Sequence, residues 1–212
     1  MYLDQHSNKV VGLVPDLLEE HFRHQQVQIE FIVDNRRGAE HRLYSGDVDA
    51  MLLAPEWTAQ PQQLIFSDMV LPHRDYLFSL RPFAKGSTIQ NWLPEKTVCT
   101  RQYYIYQALE PFFKAHKTTR VDASSELAQM KMLQSGRCDY AYINEHVARW
   151  MQQHQLADIQ LYQSPEPFGE VALRVAFHPK WQPYLAGFNQ YLVQQRQQEK
   201  ITQKLKFYID KN

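Results

Sequence analysis

The short pattern shared by residues 43–53 and 133–143 constrains the fold more than any other feature of this chain. The first copy reads LYSGDVDAMLL and the second LQSGRCDYAYI. Each predicts the end of a helix, a glycine able to take the left-handed conformation that closes helices, and an aspartate leading into a buried strand. The copies indicate two related α/β lobes or the chance recurrence of a common helix-to-strand turn. Because the chain has only 7 glycines, the matched contexts of Gly46 and Gly136 favour the repeat, and we predict both just beyond helix ends.

Apolar periodicity along the whole chain alternates between helical and extended spacing. Strands separated by helices in this way indicate parallel sheets built from strand-helix-strand units. The predicted elements are, in chain order, a helix from Val14 to Phe22, a strand over 27–33, a short helix around 39–44, strands over 49–54, 75–80 and 97–100, a helix with Ile105, Ala108, Leu109 and Phe112 on one face, a strand over 119–123, a helix with Leu127, Met130 and Leu133, and strands over 139–143 and 169–179. After Trp181, two helices or one kinked helix both fit the pattern.

Composition excludes several classes of function. The chain has 212 residues with 23 basic and 23 acidic side chains, so no net positive charge favours nucleic acid. Its apolar runs are far shorter than the roughly 20 residues of a membrane-spanning helix, and its first residues lack the apolar stretch of a signal peptide. The scattered histidines and the distant pair Cys99 and Cys138 form no metal or redox motif. We therefore predict no cofactor and no metal.

Five segments, taken in their order, resemble a known family. They are VVGLVPDLLEEHF, LYSGDVDAMLL, LIFSDMVLPHRDYLF, ELAQMKMLQSGRCDYAYINE and LRVAFHPKWQPYLAGFNQYL. Their order is similar to that of the class II periplasmic solute-binding proteins of polar amino-acid importers. The motifs that carry the resemblance are Gly12, Asp16 and Leu17 at a helix start, the Gly-x-x-Asp turn of each lobe, the pair Phe66 and Ser67, and the pair Phe188 and Asn189.

The resemblance implies a type II binding-protein fold of two α/β lobes, each a mostly parallel sheet flanked by helices, joined by two hinge crossovers. The first lobe would comprise 1–80 and 178–212, and the second 81–177. Hinge strands would lie at 75–82 and 172–177. A small polar ligand would bind in the cleft between the lobes of a periplasmic monomer, which would deliver it to an inner-membrane permease complex.

Three departures from the family pattern change what the resemblance implies. The first strand of the family is missing ahead of Gly12, which indicates either a truncated sequence or a smaller sheet. Gln60 stands where an arginine normally holds the ligand carboxylate, and Asn144 stands where an aspartate normally holds the ammonium group. With both charges absent, we expect free L-amino acids to bind weakly, although two amides can still hydrogen-bond a polar ligand.

Candidate ligand-binding residues follow from the rule that ligands bind at the carboxyl ends of strands in such sheets. Trp57 either stacks on a ligand or packs as a rim aromatic, and Arg101 is either the main positive charge of the site or a plain surface arginine. Asn144 either reaches the ligand or caps the helix that starts near His146. The predicted set is Trp57, Thr58, Gln60, Thr100, Arg101, Gln102 and Asn144. Thr100, Arg101 and Gln102 are further expected at a helix N-terminus, which is suited to anions.

Two rival functions remain open. The same fold serves as the sensory ligand-binding domain of receptors, and a few relatives are dehydratases that use carboxylates, for which Glu56 and Glu145 are the candidates here. No nucleophile motif supports catalysis, so we predict a binding protein and no enzyme. His73 and Arg74 lie near the first hinge, where a structural role explains them at least as well as contact with the ligand does.

The two cysteines are predicted in neighbouring strands of the second lobe if the strand order is 2-1-3. An oxidising compartment would favour a disulfide between them. Side-by-side parallel strands seldom give good disulfide geometry, however, so we predict that Cys99 and Cys138 are buried free thiols.

Overall fold

The computed structural model describes residues 2–4 and 9–210. The chain divides into two compact units, one of Met1–Leu71 with Ala172–Asn212 and the other of Pro72–Val171. The sequence prediction put these boundaries at 80/81 and 177/178. The observed boundaries fall earlier, the first just inside one long strand and the second just inside another.

The first unit packs four helices on a small antiparallel sheet. Its elements before residue 71 are β1 (Tyr2–Asp4), β2 (Lys9–Val11), α1 (Leu13–Arg23), α2 (Arg36–Ser45), β3 (Ala50–Leu53) and β4 (Ile65–Phe66). After residue 171 they are the second half of the strand Gly169–Phe177, followed by α7 (Gln182–Gln197) and α8 (Lys200–Asp210). Its core gathers the apolar face of α1, including Leu17 and Phe22, against Phe188 and Leu192 of α7. Two 3-10 turns, Pro55–Trp57 and Pro61–Gln63, follow β3.

Between these lie the elements of the second unit. They are β5 (Leu71–Ser79), α3 (Ile89–Trp92), β6 (Lys96–Arg101), α4 (Glu110–Lys114), β7 (Thr118–Ala123), α5 (Glu126–Gln134), β8 (Tyr140–Asn144), α6 (Glu145–His154), β9 (Tyr162–Gln163) and the start of β10 (Gly169–Phe177). From Ala172 onward, β10 belongs to the first unit. Strand β6 pairs in parallel with β7 on one side and β8 on the other, which is the predicted order 2-1-3. β5 adds to β8 in the antiparallel direction. One apolar cluster covers each face of this sheet.

The described sheet pairs of the first unit are antiparallel, unlike the parallel core of the second. The second half of β10 pairs with β3, where Arg174 lies opposite Leu53, and with β4. β1 pairs with β2 as a separate two-stranded ribbon. β10 therefore runs in the direction opposite to β3.

The prediction of a strand over 27–33 is wrong. No backbone ladder forms there among the described residues, although Val27, Ile29 and Phe31 pack on the core and the intervening Gln28 and Glu30 are exposed. Alternating burial therefore produced the strand-like pattern without a hydrogen-bonded partner.

The long helix predicted after Arg101 is also absent. Residues 102–109 form turns and irregular backbone, and the helix begins only at Glu110, with Pro111 in its first turn. Tyr103 has a φ of 68°, a left-handed conformation that interrupts a helix at this point. Of the residues on the predicted helix face, Leu109 is buried and Phe112 packs against the core of the second unit, whereas Ile105 is exposed.

The predicted free thiols are wrong as well, because Cys99 and Cys138 form a disulfide with a Cα–Cα distance of 5.7 Å. Cys99 lies in β6, opposite Ala141 of β8. Cys138 precedes β8 and belongs to the turn after α5, so it is not held in the parallel ladder. This freedom removes the geometric objection to the bond.

Both repeat glycines lie where the sequence predicts them. Gly46 follows α2 with a φ of 81°, and Gly136 lies two residues beyond α5 with a φ of 71°. The C-terminal segment forms two helices, which are separated at Gln198 and Glu199. None of the helices in the described part of the chain is long and apolar enough to span a bilayer.

Candidate functional site

The carboxyl edge of the sheet in the second unit brings together most of its predicted site residues. Strands β6 and β8 are parallel and end at Arg101 and Asn144. β5 runs the other way, so its beginning lies at the same edge, with Asp75 opposite Asn144. The edge therefore combines a guanidinium, an amide and a carboxylate from three adjacent strands.

Arg101 is the best-defined group at this edge. Its Nη1 donates to the Ser124 carbonyl oxygen at 2.6 Å and lies 3.3 Å from Oε2 of Glu126. Its guanidinium carbon lies 5.7 Å from the centre of the Tyr104 ring. The side chain is 20% exposed, and its buried Nε has no hydrogen-bond partner among the described residues. Arg101 is thus neither a plain surface arginine nor fully satisfied.

The helix that Arg101 approaches is α5, which follows the next strand, and not the one expected directly after β6. Ser125 caps α5 by accepting from the Ala128 N–H at 3.0 Å, and Glu126 lies in the first turn. The prediction of Thr100, Arg101 and Gln102 at the start of their own helix is corrected accordingly, because irregular backbone follows β6.

The two residues that flank Arg101 are held by β7. Thr100 is fully buried and donates its hydroxyl to Asp122 at 2.7 Å. Gln102 is half-buried, and its backbone N–H donates to the Ala123 carbonyl at 3.1 Å. Thr100 therefore uses its hydroxyl hydrogen within the unit, whereas the Gln102 side chain lies at the edge.

Arg120 and Tyr106 fix the backbone of the loop after β6. Arg120 Nη2 donates to the carbonyl oxygens of Arg101 and Tyr104 at 3.2 and 3.1 Å, and its guanidinium lies 5.4 Å from the centre of the Tyr106 ring. The Tyr106 hydroxyl accepts from the Arg101 backbone N–H at 3.0 Å. These contacts orient Arg101 by fixing its backbone.

Asn144 acts as the cap of α6. Its side-chain oxygen accepts from the backbone N–H groups of His146 and Val147 at 3.0 and 3.3 Å. Its Nδ2 donates to the Arg74 carbonyl at 3.0 Å. Asn144 is only 8% exposed, and its side chain caps α6, which is one of the two roles considered for it from the sequence.

Charged residues on β5 and α6 form a second polar group beside Asn144. His73 Nε2 lies 2.9 Å from an Asp75 carboxylate oxygen, and Arg74 Nε donates to Glu145 at 2.8 Å. Burial lowers the pKa of His146, an effect that Glu145 opposes and Arg74 reinforces. At this edge His73 thus forms a hydrogen bond with Asp75, and Arg74 forms an ion pair with Glu145.

Burial also raises the pKa values of Tyr106 and Tyr142, and the negative charge of Asp75 contributes to both shifts. The phenols therefore remain neutral. They provide hydroxyl groups near the Asp75 carboxylate without adding charge.

In the first unit, Trp57 and Thr58 belong to a local network built on α2. The Thr58 hydroxyl bonds to Glu40 and Tyr44, and the Trp57 carbonyl accepts from Arg36 Nη2 at 2.8 Å. The Trp57 ring packs on the cluster around Leu43, Leu53 and Leu64.

The remaining predicted positions of this unit are exposed. Gln60 precedes the second 3-10 turn, where its side-chain oxygen accepts from Gln63, and Glu56 lies in the first. Sequence analysis missed Arg174, whose Nη1 donates to the Ser67 carbonyl at 2.6 Å beside the carboxyl end of β3. Its place between Leu173 and Val175, in the apolar half of β10, was the available signal.

Sequence analysis also missed Glu126, the ion-pair partner of Arg101. Ser125 and Glu126 form the start of α5, and the parallel register of β6 and β7 brings this helix start to Arg101. No local pattern predicts that contact.

Comparisons with known proteins support the fold. A variant of ArgBP from T. maritima matches with a TM-score of 0.80 and 16% identity, over 99% of this chain and 90% of that one. The GluR0 ligand-binding core from Nostoc punctiforme, in complex with L-glutamate, has a TM-score of 0.74 and 15% identity, over 93% and 90%. AbpA from Streptococcus pneumoniae, an amino acid ABC transporter substrate-binding protein bound to L-arginine, has 0.77 and 15%, over 98% and 87%.

A scan of protein-family models finds no match to this chain, and no curated protein matches it in sequence. At identities below 20%, the structural likeness shows the fold. The predicted two-lobed α/β fold is therefore confirmed. The prediction of a mostly parallel sheet in each lobe is wrong for the first unit, whose described strand pairs are antiparallel.

Proposed function

We propose that this chain binds a small polar solute as a transport-associated solute-binding protein, with Arg101 as the main positive charge that contacts the ligand. The observation that carries the proposal is the state of the Arg101 guanidinium. It is largely buried at the carboxyl edge of a parallel sheet and keeps one N–H without an acceptor among the described residues. A buried donor of this kind is rare unless a ligand or water completes it.

The fold supports binding in preference to catalysis. Structural neighbours include amino acid ABC transporter substrate-binding proteins, one of them bound to L-arginine. The carboxylates considered for a dehydratase have other surroundings here, since Glu145 accepts from Arg74 and Glu56 lies in the other unit. We therefore propose ligand capture without turnover.

The other site residues have graded roles in this proposal. Gln102 offers a neutral amide to a ligand at the edge of the second unit. In the first unit, the loop after β3 offers the amide of Gln60 and the aromatic ring of Trp57. Thr58, Thr100 and Asn144 bond within their own units and shape the site.

The disulfide supports a location outside the cytoplasm, because such bonds persist in oxidising compartments. We propose a periplasmic or extracellular monomer that delivers its ligand to a membrane permease complex. A sensory ligand-binding domain is the second candidate, favoured by the likeness to the GluR0 ligand-binding core. Permease and ATPase genes beside this one would favour transport, and a fused or adjacent signalling module would favour sensing.

A thermal-shift screen tests the proposal. The library would contain amino acids, carboxylates, polyamines and sugars, and a ligand at one hundred times its Kd stabilises the folded state by about 2.7 kcal/mol. We expect a polar solute to raise the melting temperature. If no polar solute does so, the proposal is contradicted.

Free L-amino acids are expected to bind weakly, because Gln60 carries no charge and the Asn144 amide is already used as a helix cap. Titration calorimetry with the standard amino acids measures this. Tight binding that is undiminished by Gln60→Ala and Asn144→Ala would show that the family clamp is assigned to the wrong positions.

A further inference from the structure

The orientation of the Arg101 guanidinium depends on two acceptors on one side. Nη1 bonds to the Ser124 carbonyl and pairs with Glu126, while the Tyr104 ring lies under the guanidinium. In this orientation Nε is buried and bonds to no described residue. The side chain thus gains one ion pair while it leaves one strong donor unused.

The ion pair with Glu126 is weak by its geometry. A single oxygen lies 3.3 Å from a single nitrogen, and the Glu126 side chain is 39% exposed. Exposed pairs of this kind contribute little to stability because water screens them. Glu126 also lies in the first turn of α5, where the helix dipole stabilises its charge even without Arg101.

A carboxylate bound in a bidentate manner would satisfy Arg101 better. Two parallel N–H···O bonds from one guanidinium are shorter and stronger than a single contact. Release of Nη1 from Glu126 would allow the guanidinium to turn and offer Nε together with a terminal nitrogen. The same step would leave the Glu126 carboxylate close to a second negative charge.

We propose that Glu126 is an internal counter-ion of Arg101 that the carboxylate of the bound solute displaces, so that Glu126 limits the affinity for anionic ligands. The inference rests on the proposed function, and it narrows the ligand to solutes that carry a carboxylate. Glu126 is a positioning residue: it holds Arg101 in place until the ligand arrives, and its charge then disfavours ligands that bind through a negative group alone.

Nuclear magnetic resonance of the Arg101 Nε–H group tests this in the intact chain, with propionate as the probe and propionamide as its neutral counterpart. In the unmodified protein, propionate is expected to shift the Nε–H resonance and propionamide is not. In Glu126→Gln, half-saturation with propionate should occur at about fivefold lower concentration. This change corresponds to roughly 1 kcal/mol, the contribution of the Arg101–Glu126 ion pair that no longer competes with the ligand. The matched control is Glu166→Gln, which removes the same charge at an exposed position of the same unit.

The outcomes separate the inference from the proposed function. If the Arg101 Nε–H resonance reaches half-saturation at the same propionate concentration in the unmodified protein and in Glu126→Gln, Arg101 binds anions but the proposed role of Glu126 is overturned. If propionate shifts the resonance in neither, both the inference and the assignment of Arg101 as a ligand contact are overturned. An equal gain in Glu166→Gln would attribute the effect to net charge and would also overturn the inference. The melting temperature of unliganded Glu126→Gln should lie within about 4 °C of that of the unmodified protein, because the lost ion pair contributes at most about 1 kcal/mol.

Discussion

The loops that follow β3 in the first unit and β6 in the second use their polar groups in opposite ways. After β3, the Thr58 hydroxyl and the Trp57 carbonyl bond to side chains of α2. At the end of β6, Arg101 pairs with the Glu126 carboxylate, and its Nε has no hydrogen-bond partner in the described part of the chain. Polar groups that already bond within their own unit have little capacity left to bind a ligand, so the strongest ligand contact is expected at Arg101 in the second unit.

The two units also differ in what holds these loops. In the first, buried Arg36 pairs with Glu40 at 3.2 Å and joins the loop to α2. In the second, a disulfide fixes β6 one residue before Thr100. Ionic contacts should therefore dominate the local stability of the first loop and a covalent link that of the second.

Removal of the disulfide should have the largest effect. The variant Cys99→Ala/Cys138→Ala is expected to lose about 4 kcal/mol, the loop-closure entropy of a link that spans 39 positions. Urea unfolding measures the loss, and hydrogen exchange should locate it in β6 and β8 while α7 keeps its protection. A loss below 1 kcal/mol would indicate that the unfolded second unit is already compact.

Removal of the Glu40 carboxylate tests the first loop. Glu40→Ala leaves Arg36 buried without this partner, and the expected cost is about 2 kcal/mol, less than for a fully buried pair because the Glu40 side chain is 20% exposed. Glu40→Gln is the matched control, since its amide oxygen can still accept from Thr58. Equal unfolding free energies for Glu40→Ala and the parent protein would contradict the network.

The cap at Asn144 is expected to contribute less. Asn144→Ala should destabilise the protein by about 1 kcal/mol through loss of the α6 cap, and Asn144→Asp should restore most of it because a carboxylate oxygen accepts the same two N–H groups. Thermal unfolding of the three proteins compares them. Destabilisation by both substitutions would point instead to the Nδ2 contact with Arg74.

The pH dependence should be the smallest effect and should occur in both units. Burial lowers the folded-state pKa of His21 in the first unit and of His146 in the second. Because the histidine pKa in the unfolded chain is near 6.5, the unfolded chain binds more protons than the folded chain as the pH falls below this value. The folding stability that is present above about pH 6.5 is therefore lost below it. Urea midpoints at pH 7 and pH 5.5 measure this, and His146→Gln should reduce the difference. If the difference between the urea midpoints at pH 7 and pH 5.5 is the same in His146→Gln as in the unmodified protein, His146 does not contribute to the pH dependence.

Local signals predicted the fold best where one segment determines its own structure. Gly46 and Gly136 follow helix ends because their left-handed conformation depends only on neighbouring residues. The order of β7, β6 and β8 depends on pairing between distant segments; it was predicted only on the condition that the sheet has the 2-1-3 order of doubly wound folds, and the structure has that order. Predictions failed where a distant partner decides the outcome, as for residues 27–33, which lack a described ladder.

The candidate site could be predicted only in outline. Strand ends identified Arg101 and Asn144, since carboxyl edges follow from strand positions. The partners that determine what these residues do come from other elements: Glu126 from α5 for Arg101, and Arg74 from β5 for Asn144. Strand pairing brings these together, and no sequence spacing encodes it. The same applies to Cys138, whose position in a turn decided the disulfide.

The central claim is that Arg101 contacts the ligand, and titration calorimetry with the best solute from the thermal-shift screen tests it most directly. Arg101→Ala should weaken binding at least about tenfold, since a charge-assisted hydrogen bond contributes roughly 1.5–3 kcal/mol. The matched control Arg137→Ala removes an exposed arginine of the same unit and should leave the Kd unchanged. Equal affinity of Arg101→Ala and the unmodified protein would contradict the account.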